Sequence, residues 1–396
     1  MSIEGSMSNR VKSSFQGYAR NSGRPGVRNH LLILNATGLT EATARRVHSM
    51  LPGAVLASTP YGMGLIGVDA ERQMDTLSGF ACNPNVGAIL ILSADRLRSE
   101  SLVHAVSHTG KDIEAICYAD VGHDALRMTD IAIRRAAEMM VELSRLRRTP
   151  QPLSELVVGM ECGLSDPTSG IAANPLIGRI TDQLVGAGAT VIMGETLEWL
   201  GTEQELSKRT KSPEVAAAVI AAVLRRESMA SDAGISLTDV NPNRANIESG
   251  LSTIEEKASG SVTKSGTSSI EGLLSYSQPP TDTGLYLMDA AAYTPESLSG
   301  FVAAGAQLLL FSTGIGNSYV SAIAPTIKLS ANTDTIQSIP QQIDFDCSSL
   351  IAGTNTPESV ADELMDDVVE FASGTLTWGE AVGEGCESVS RYGESL

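Results

Sequence analysis

Short apolar runs and amphipathic stretches alternate along this chain. Runs at 31–34, 54–57, 88–92 and 113–118 are rich in leucine, isoleucine, valine and alanine. Runs of this length bounded by turn residues read as buried strands. The stretches at 40–51, from 68, at 97–109 and at 124–147 instead place apolar residues on one face of a helix. These strand–helix repeats predict a first α/β domain over 16–148 with a parallel sheet. Residues 1–15 lack the pattern and read as a flexible lead-in. TPQPLS at 149–154 carries two prolines and reads as a linker. Alternation resumes over 155–396. The expected fold class is therefore α/β, with two domains, each a mainly parallel sheet flanked by helices.

The second domain opens with a strand at 156–160, a helix capped by Asn174 with Pro175 in its first turn, a glycine turn at 186–188 and a strand at 190–193. Two helices follow over 201–232, broken near Ser212 and Pro213. A second strand–helix–strand unit covers 285–288, 295–304 and 308–311. A strand at 325–329 and a helix at 357–372 complete the pattern. Between them lies a polar stretch, 241–272, too long for an idle loop in a compact domain.

Right-handed crossovers make such strands parallel and bring their carboxyl ends to one edge, where open α/β sheets bind ligands. Cys162, Ser165 and Asp166 follow the first strand of the second domain, and Glu195 follows the second, with Glu198 a weaker candidate. Asp289 ends a later strand; Ser312, Thr313 and Asn317 follow another. Lys257, Lys264 and Lys328 are candidate general bases or carboxylate clamps, with Lys264 and Lys328 favoured as anion binders. A lysine serves as a base only where burial or a nearby cation lowers its pKa. Each has a plainer reading: the acids as helix caps, Cys162 as a buried structural thiol, the glycines as ordinary turns.

Composition narrows the function. A net charge of −18 with no basic stripe argues against nucleic acid. Cysteines at 82, 117, 162, 347 and 386 form no CxxC pair, so neither a zinc site nor a disulfide framework is expected, and a reducing cytoplasm fits. The first residues, MSIEGSMSNR, lack the apolar core of a signal peptide, and no run of about 18 apolar residues exists to span a membrane. All five histidines lie between His30 and His123, so acid–base work in the second half falls to other side chains. Phosphate-loop, HExxH and GxSxG motifs are absent. STGIGNS after a strand is a weak dinucleotide signal but could present backbone N–H groups to an anion.

Four long segments carry a resemblance: GRPGVRNHLLIL, ECGLSDPTSGIAANPLIG, GLSTIEEKASGSVTKSG and STGIGNSYVSAIAPTIKLSANT. Together they resemble the large domain of the altronate and galactarate dehydratases, a family that includes the large subunit of sulfolactate sulfo-lyase. The resemblance runs from about Gly17 to the end. It implies a lyase using Fe(II) or another divalent metal on a small 2-hydroxy acid, releasing water or sulfite across C2–C3 to leave a 2-keto acid. For such a reaction the candidate metal ligands are Cys162, which could instead line the substrate pocket, and Glu195; the candidate catalytic groups are Lys264, Lys328 and Glu195; and the candidate substrate contacts are Ser165, Asp166, Asp289, Ser312, Thr313, Asn317 and Arg28, the last resembling the family's Arg-Asn pair. The sugar-acid members resemble His-x-x-Gly-Cys-Gly where this chain has Ser58 to Gly64, and Gly-Cys-Glu where it has Ser93, Ala94 and Asp95. These departures favour the sulfolactate-like branch or a relative with another substrate. A non-catalytic acid-binding homologue is the competing reading. The fused dehydratases begin with an extra small domain, so a separate small subunit is expected here, as is a homo-oligomer.

Overall fold

The structure is a computed structural model and describes residues 13–237, 240–393 and 395. Most of the expected flexible lead-in, up to residue 12, lies outside these. Thirteen strands form three sheets among the described residues. A four-stranded parallel sheet contains β2 (His30–Asn35), β3 (Ala54–Ser58), β4 (Val86–Ser93) and β5 (Asp112–Cys117), in the order β3-β2-β4-β5. A seven-stranded parallel sheet contains β7 (Val157–Cys162), β8 (Thr190–Met193), β9 (Ile270–Leu274), β10 (Gly284–Met288), β11 (Leu308–Ser312), β12 (Thr326–Ser330) and β13 (Phe345–Asp346). Its order is β13-β12-β11-β7-β8-β10-β9. The fold is thus α/β with parallel sheets flanked by helices. The apolar runs form strands because both faces of each sheet are covered, as parallel sheets require.

Two short segments behave differently from their sequence reading. β1 (Ser14–Gly17) pairs antiparallel with β6 (Thr149–Pro152), so part of the expected lead-in and linker forms a two-stranded ribbon. Its two prolines are tolerated because the ribbon has no inner strand.

Asn174 does not cap its helix. The chain enters through a π-helical turn, Ser169–Ala173, and Asn174 already has helical angles. Its amide donates to Gly260 O at 3.1 Å and its oxygen accepts from Ser312.

The two large sheets are joined by a shared apolar layer. Leu77 and Phe80 from helix Val68–Cys82 pack with Leu298, Phe301 and Val302 of helix Thr294–Ala303. Full burial of side chains of this size is worth about 1.5–3 kcal/mol each. Gly79 permits the approach: a Cβ there would lie 2.3 Å from Ala303 O. The Asn83 amide donates to Val302 O and Ala306 O, and the Asn85 amide to Gln307 O and Ile323 O. No helix among the described residues is long and apolar enough to cross a membrane.

Candidate active site

β7 and β8 are adjacent and parallel, so the loops after Cys162 and Met193 leave the same edge of the sheet. They open onto a cavity of about 570 Å³ whose wall includes Cys162, Glu195, Glu198, Lys257, Asn246 and Asn317. Gly163 lets the chain turn here, because a Cβ would come within 2.6 Å of the Thr294 hydroxyl and 2.8 Å of the Phe311 ring.

Behind the wall lies a buried ionic cluster. Lys264 Nζ is 2.7 Å from Glu161 Oε1, 2.8 Å from Cys162 Sγ, 3.0 Å from Ser261 Oγ and 3.8 Å from Glu198 Oε2. Lys257 Nζ pairs with Glu198 Oε1 at 2.7 Å, and Ser261 donates to Glu198 Oε2 at 2.6 Å. Ser297 donates to Glu161 Oε2 at 3.0 Å. Lys257, Ser261 and Lys264 recur at spacings of four and three residues, which places them on one face of helix Ile254–Val262 and its 3₁₀ extension. Buried charges persist only when paired and hydrogen-bonded, and here every one has a partner.

Burial alone would raise the Glu198 pKa, but the Lys257 and Lys264 ammoniums and the hydrogen bonds from Lys257 and Ser261 bring it down to about 2. Burial opposes the charge on Lys264, yet Cys162, Glu161 and Glu198 raise its pKa well above the usual lysine value, so it remains an ammonium. Burial raises Glu161, with Lys264 offsetting part of the effect, and burial together with Glu198 raises the Cys162 thiol.

Glu195 is the exception. Its carboxyl makes no hydrogen bond or ion pair with the described residues, although the side chain is 3% exposed and lines the cavity. Burial, then the charges of Glu161 and Glu198, raise its pKa well above the carboxylate range. Its backbone is left-handed, with φ 60°, a conformation that costs a non-glycine residue on the order of 1–2 kcal/mol. The loop is pinned from outside. Thr196 N donates to Ala290 O at 3.1 Å, the Thr196 hydroxyl to Asp289 Oδ1 at 2.8 Å, and the Trp199 indole to Gly194 O at 3.0 Å.

The structure brings together Cys162, Glu195 and Asn317 in the cavity wall, with Lys264 directly behind Cys162. The remaining candidates sit elsewhere. Arg28 forms a bidentate pair with Glu380 at 2.7 and 2.9 Å and donates to Phe371 O and Thr375 O. It ties the start of the first domain to the C-terminal region and does not line the cavity. Asp166 caps the helix that follows it, accepting from Ser169 N at 3.0 Å and from Asn332 at 2.7 Å. Ser165 is buried with an unpaired hydroxyl, and its carbonyl holds the cavity residue Asn246 at 2.8 Å. Asp289 is paired with Arg226 at 3.0 Å and with Arg225, so it positions the Glu195 loop from behind. Ser312 is bonded to Asn174, and Thr313 Oγ1 accepts from Gly316 N at 3.1 Å. Lys328 donates to Asn317 O at 2.9 Å and Ser318 O at 3.2 Å, bracing that wall from within; burial lowers its pKa. Among the described lining residues, Lys257 is the one cation.

The donor atoms of Glu161, Cys162 and Glu198 lie within 4.8 Å of one another, close to the spacing that a bound ion needs. They do not fit a divalent metal as arranged. An ion at ordinary bond lengths of roughly 2.0–2.3 Å would be pressed against Lys264 Nζ, which already bonds to two of the three donors. Glu195 does not join a group of His, Cys, Asp or Glu donors at this spacing among the described residues, so the expected Cys162–Glu195 ligand pair is not brought together with a third such donor.

Comparison with known proteins matches this architecture. The family described as "D-galactarate/Altronate dehydratase, C-terminal" matches residues 153–393, and "D-galactarate dehydratase/Altronate hydrolase, second domain" matches 17–144. The (2R)-sulfolactate sulfo-lyase subunit beta of Chromohalobacter salexigens is 34% identical over 373 residues, covering 93% of this chain and 95% of the relative. The altronate dehydratase of Escherichia coli is 31% identical, covering 92% and 75%. The galactarate dehydratase (L-threo-forming) of Escherichia coli is 30% identical, covering 76% and 58%. The chain therefore belongs to the D-galactarate/altronate dehydratase family and is a lyase.

Proposed function

We propose that this lyase removes water or sulfite across C2–C3 of a small 2-hydroxy acid, in the cavity between the β7 and β8 loops. The observation that carries the reading is Glu195: a cavity-facing carboxyl held in a strained backbone, with no partner of its own. In the elimination a base takes the C2 proton, the C3–O or C3–S bond breaks, and the enol becomes a ketone as C3 is protonated. Hydroxide is a poor leaving group and needs a proton as it departs. Glu195, whose buried setting beside Glu161 and Glu198 favours its protonated form, is placed to supply one. Lys257 is the cation placed to meet the substrate carboxylate.

Iron or another divalent metal, implied by the resemblance, does not fit the Glu161–Cys162–Glu198 cluster, where Lys264 already bonds to two of the three donors. The substrate itself stays within the class named by the relatives: a sugar acid, or 3-sulfolactate. Galactarate and sulfolactate are dianions and present a second charged end, which a cavity with one cation among its described lining residues does not neutralise. This supports a separate small subunit contributing to the site, as does the sulfo-lyase relative, which is itself a subunit beta. Exposed Tyr293 in the wall and Ile247 beside Asn246 offer apolar surface for it.

The test is release of 2-keto acid from a panel of 2-hydroxy acids, with the small partner present, by wild type and by Glu195→Gln. Proton transfer by a placed group is worth about 100- to 10,000-fold. The expected result is a fall in kcat of at least about 100-fold with the thermal midpoint retained. Equal turnover would remove Glu195 from the chemistry. Absence of turnover by wild type on every acid would favour the non-catalytic acid-binding reading.

A further inference from the structure

We infer that Lys264 closes the Glu161–Cys162–Glu198 cluster to divalent metal ions, its ammonium standing where a cation would bind. The three donors belong to β7 and to the 3₁₀ turn Thr196–Trp199, and they face a space that Lys264 fills from the end of a third element. Its side chain is wholly buried, as is that of Glu161. Each of its nearest contacts is an atom a metal would need: 2.7 Å to a carboxylate oxygen and 2.8 Å to the thiol sulfur.

The second carboxylate is engaged too, because Glu198 Oε1 is taken by Lys257 at 2.7 Å while Oε2 accepts from Ser261 at 2.6 Å. Two ammoniums already balance two carboxylates. Adding a dication would leave buried positive charge with nothing to offset it. Among the described residues no histidine joins the group. Any divalent ion this lyase uses must then bind outside the cluster, through the substrate or a partner chain, and the two lysines provide the cluster's positive charge themselves.

The inference deepens the lyase reading of the same site, but its test reads metal and not turnover, so the two fail separately. The full-length chain is titrated with Co²⁺ under anaerobic, reducing conditions, and the near-ultraviolet band that thiolate–cobalt bonds produce is followed. Wild type is compared with Cys162→Ser, and Lys264→Ala and Lys264→Met with their Cys162→Ser double variants. The expected result is no Cys162-dependent band in wild type, and a band at one equivalent in the Lys264 variants that vanishes with Cys162→Ser. A wild-type band that persists in Cys162→Ser reports another thiol and agrees with metal held outside the cluster. A wild-type band lost in Cys162→Ser overturns the inference. So does its absence from folded Lys264 variants, because Lys264 would then not be what excludes the ion. If neither Lys264 variant folds, the wild-type and Cys162→Ser pair still decides.

Discussion

At the carboxyl edge of the four-stranded sheet, Asn35, Thr37, Thr40 and Ser58 bond to one another. The Asn35 amide reaches Ser58 at 2.9 Å, and Thr40 donates to Asn35 Oδ1 at 2.6 Å. Asp95 there caps the helix Arg96–Val106. The corresponding edge of the seven-stranded sheet carries Glu161, Cys162, Glu195, Glu198, Lys257 and Lys264 around a cavity. Both edges follow the same topological rule, yet at one the buried groups are neutral and bond to one another while its Arg96–Asp120 ion pair is open to solvent, and at the other the charges are buried and one carboxyl is unpaired among the described residues. The loops in which the sequence reading finds departures from the sugar-acid pattern, Ser58 to Gly64 and Ser93 to Asp95, lie at the edge of the four-stranded sheet. The contrast teaches that a parallel sheet supplies a place for chemistry, and that buried charge, not topology, marks which edge is used.

Several substitutions sharpen or break that contrast. Lys264→Ala leaves Glu161 without its cation, and loss of one partner of a buried pair costs about 3–5 kcal/mol; urea unfolding should show this, and a change below about 1 kcal/mol would mean the cluster is not charged as described. Gly163→Ala pushes a methyl into Thr294 and Phe311. Overpacking of that kind costs about 1–3 kcal/mol, and because it deforms the cavity loop it should also reduce turnover. Asp95→Ala removes a cap at the neutral edge, worth about 1 kcal/mol, and turnover should stay at the wild-type level. A large loss of turnover there would return the chemistry to the first domain.

The remaining effect is one of pH. Glu387 accepts from Ser299, Ser321 and two backbone N–H groups, and burial raises its pKa to about 7. Between its unfolded value of about 4.3 and about 7 the folded state holds a proton that the unfolded state has released, so stability falls as pH rises through this window. The urea midpoint should decline less steeply across it in Glu387→Gln than in wild type. Parallel declines would show that Glu387 does not titrate in this range.

Much of the fold was legible because buried parallel strands are continuous apolar runs. The runs at 31–34, 190–193 and 308–311 fall within β2, β8 and β11. β9, IEGLL, was hidden by its glycine and its edge position, and β13 by having two residues. The ribbon of β1 and β6 was hidden by prolines that read as a linker. In the site, Cys162 and Glu195 were legible as residues at strand ends. Glu161 was not singled out, since it sits inside a strand and only tertiary contact shows its charge is paired. Lys257 and Lys264 were visible as candidates, but their common helical face with Ser261 was the signal that would have joined them. Arg28, Asp166 and Asp289 show the converse. Their charges serve anchoring and capping, which sequence cannot separate from binding.

The central claim is that the hydroxy acid enters the cavity at the β7–β8 edge. Cys386 lines that cavity and is exposed, whereas Cys82 lies in a separate groove between the two large sheets. Alkylation of both thiols, followed by mass spectrometry with and without an acid that wild type turns over, compares the two places in one sample. The account predicts that bound acid slows modification of Cys386 and leaves Cys82 unchanged. Unaltered Cys386 modification at saturating acid would contradict it.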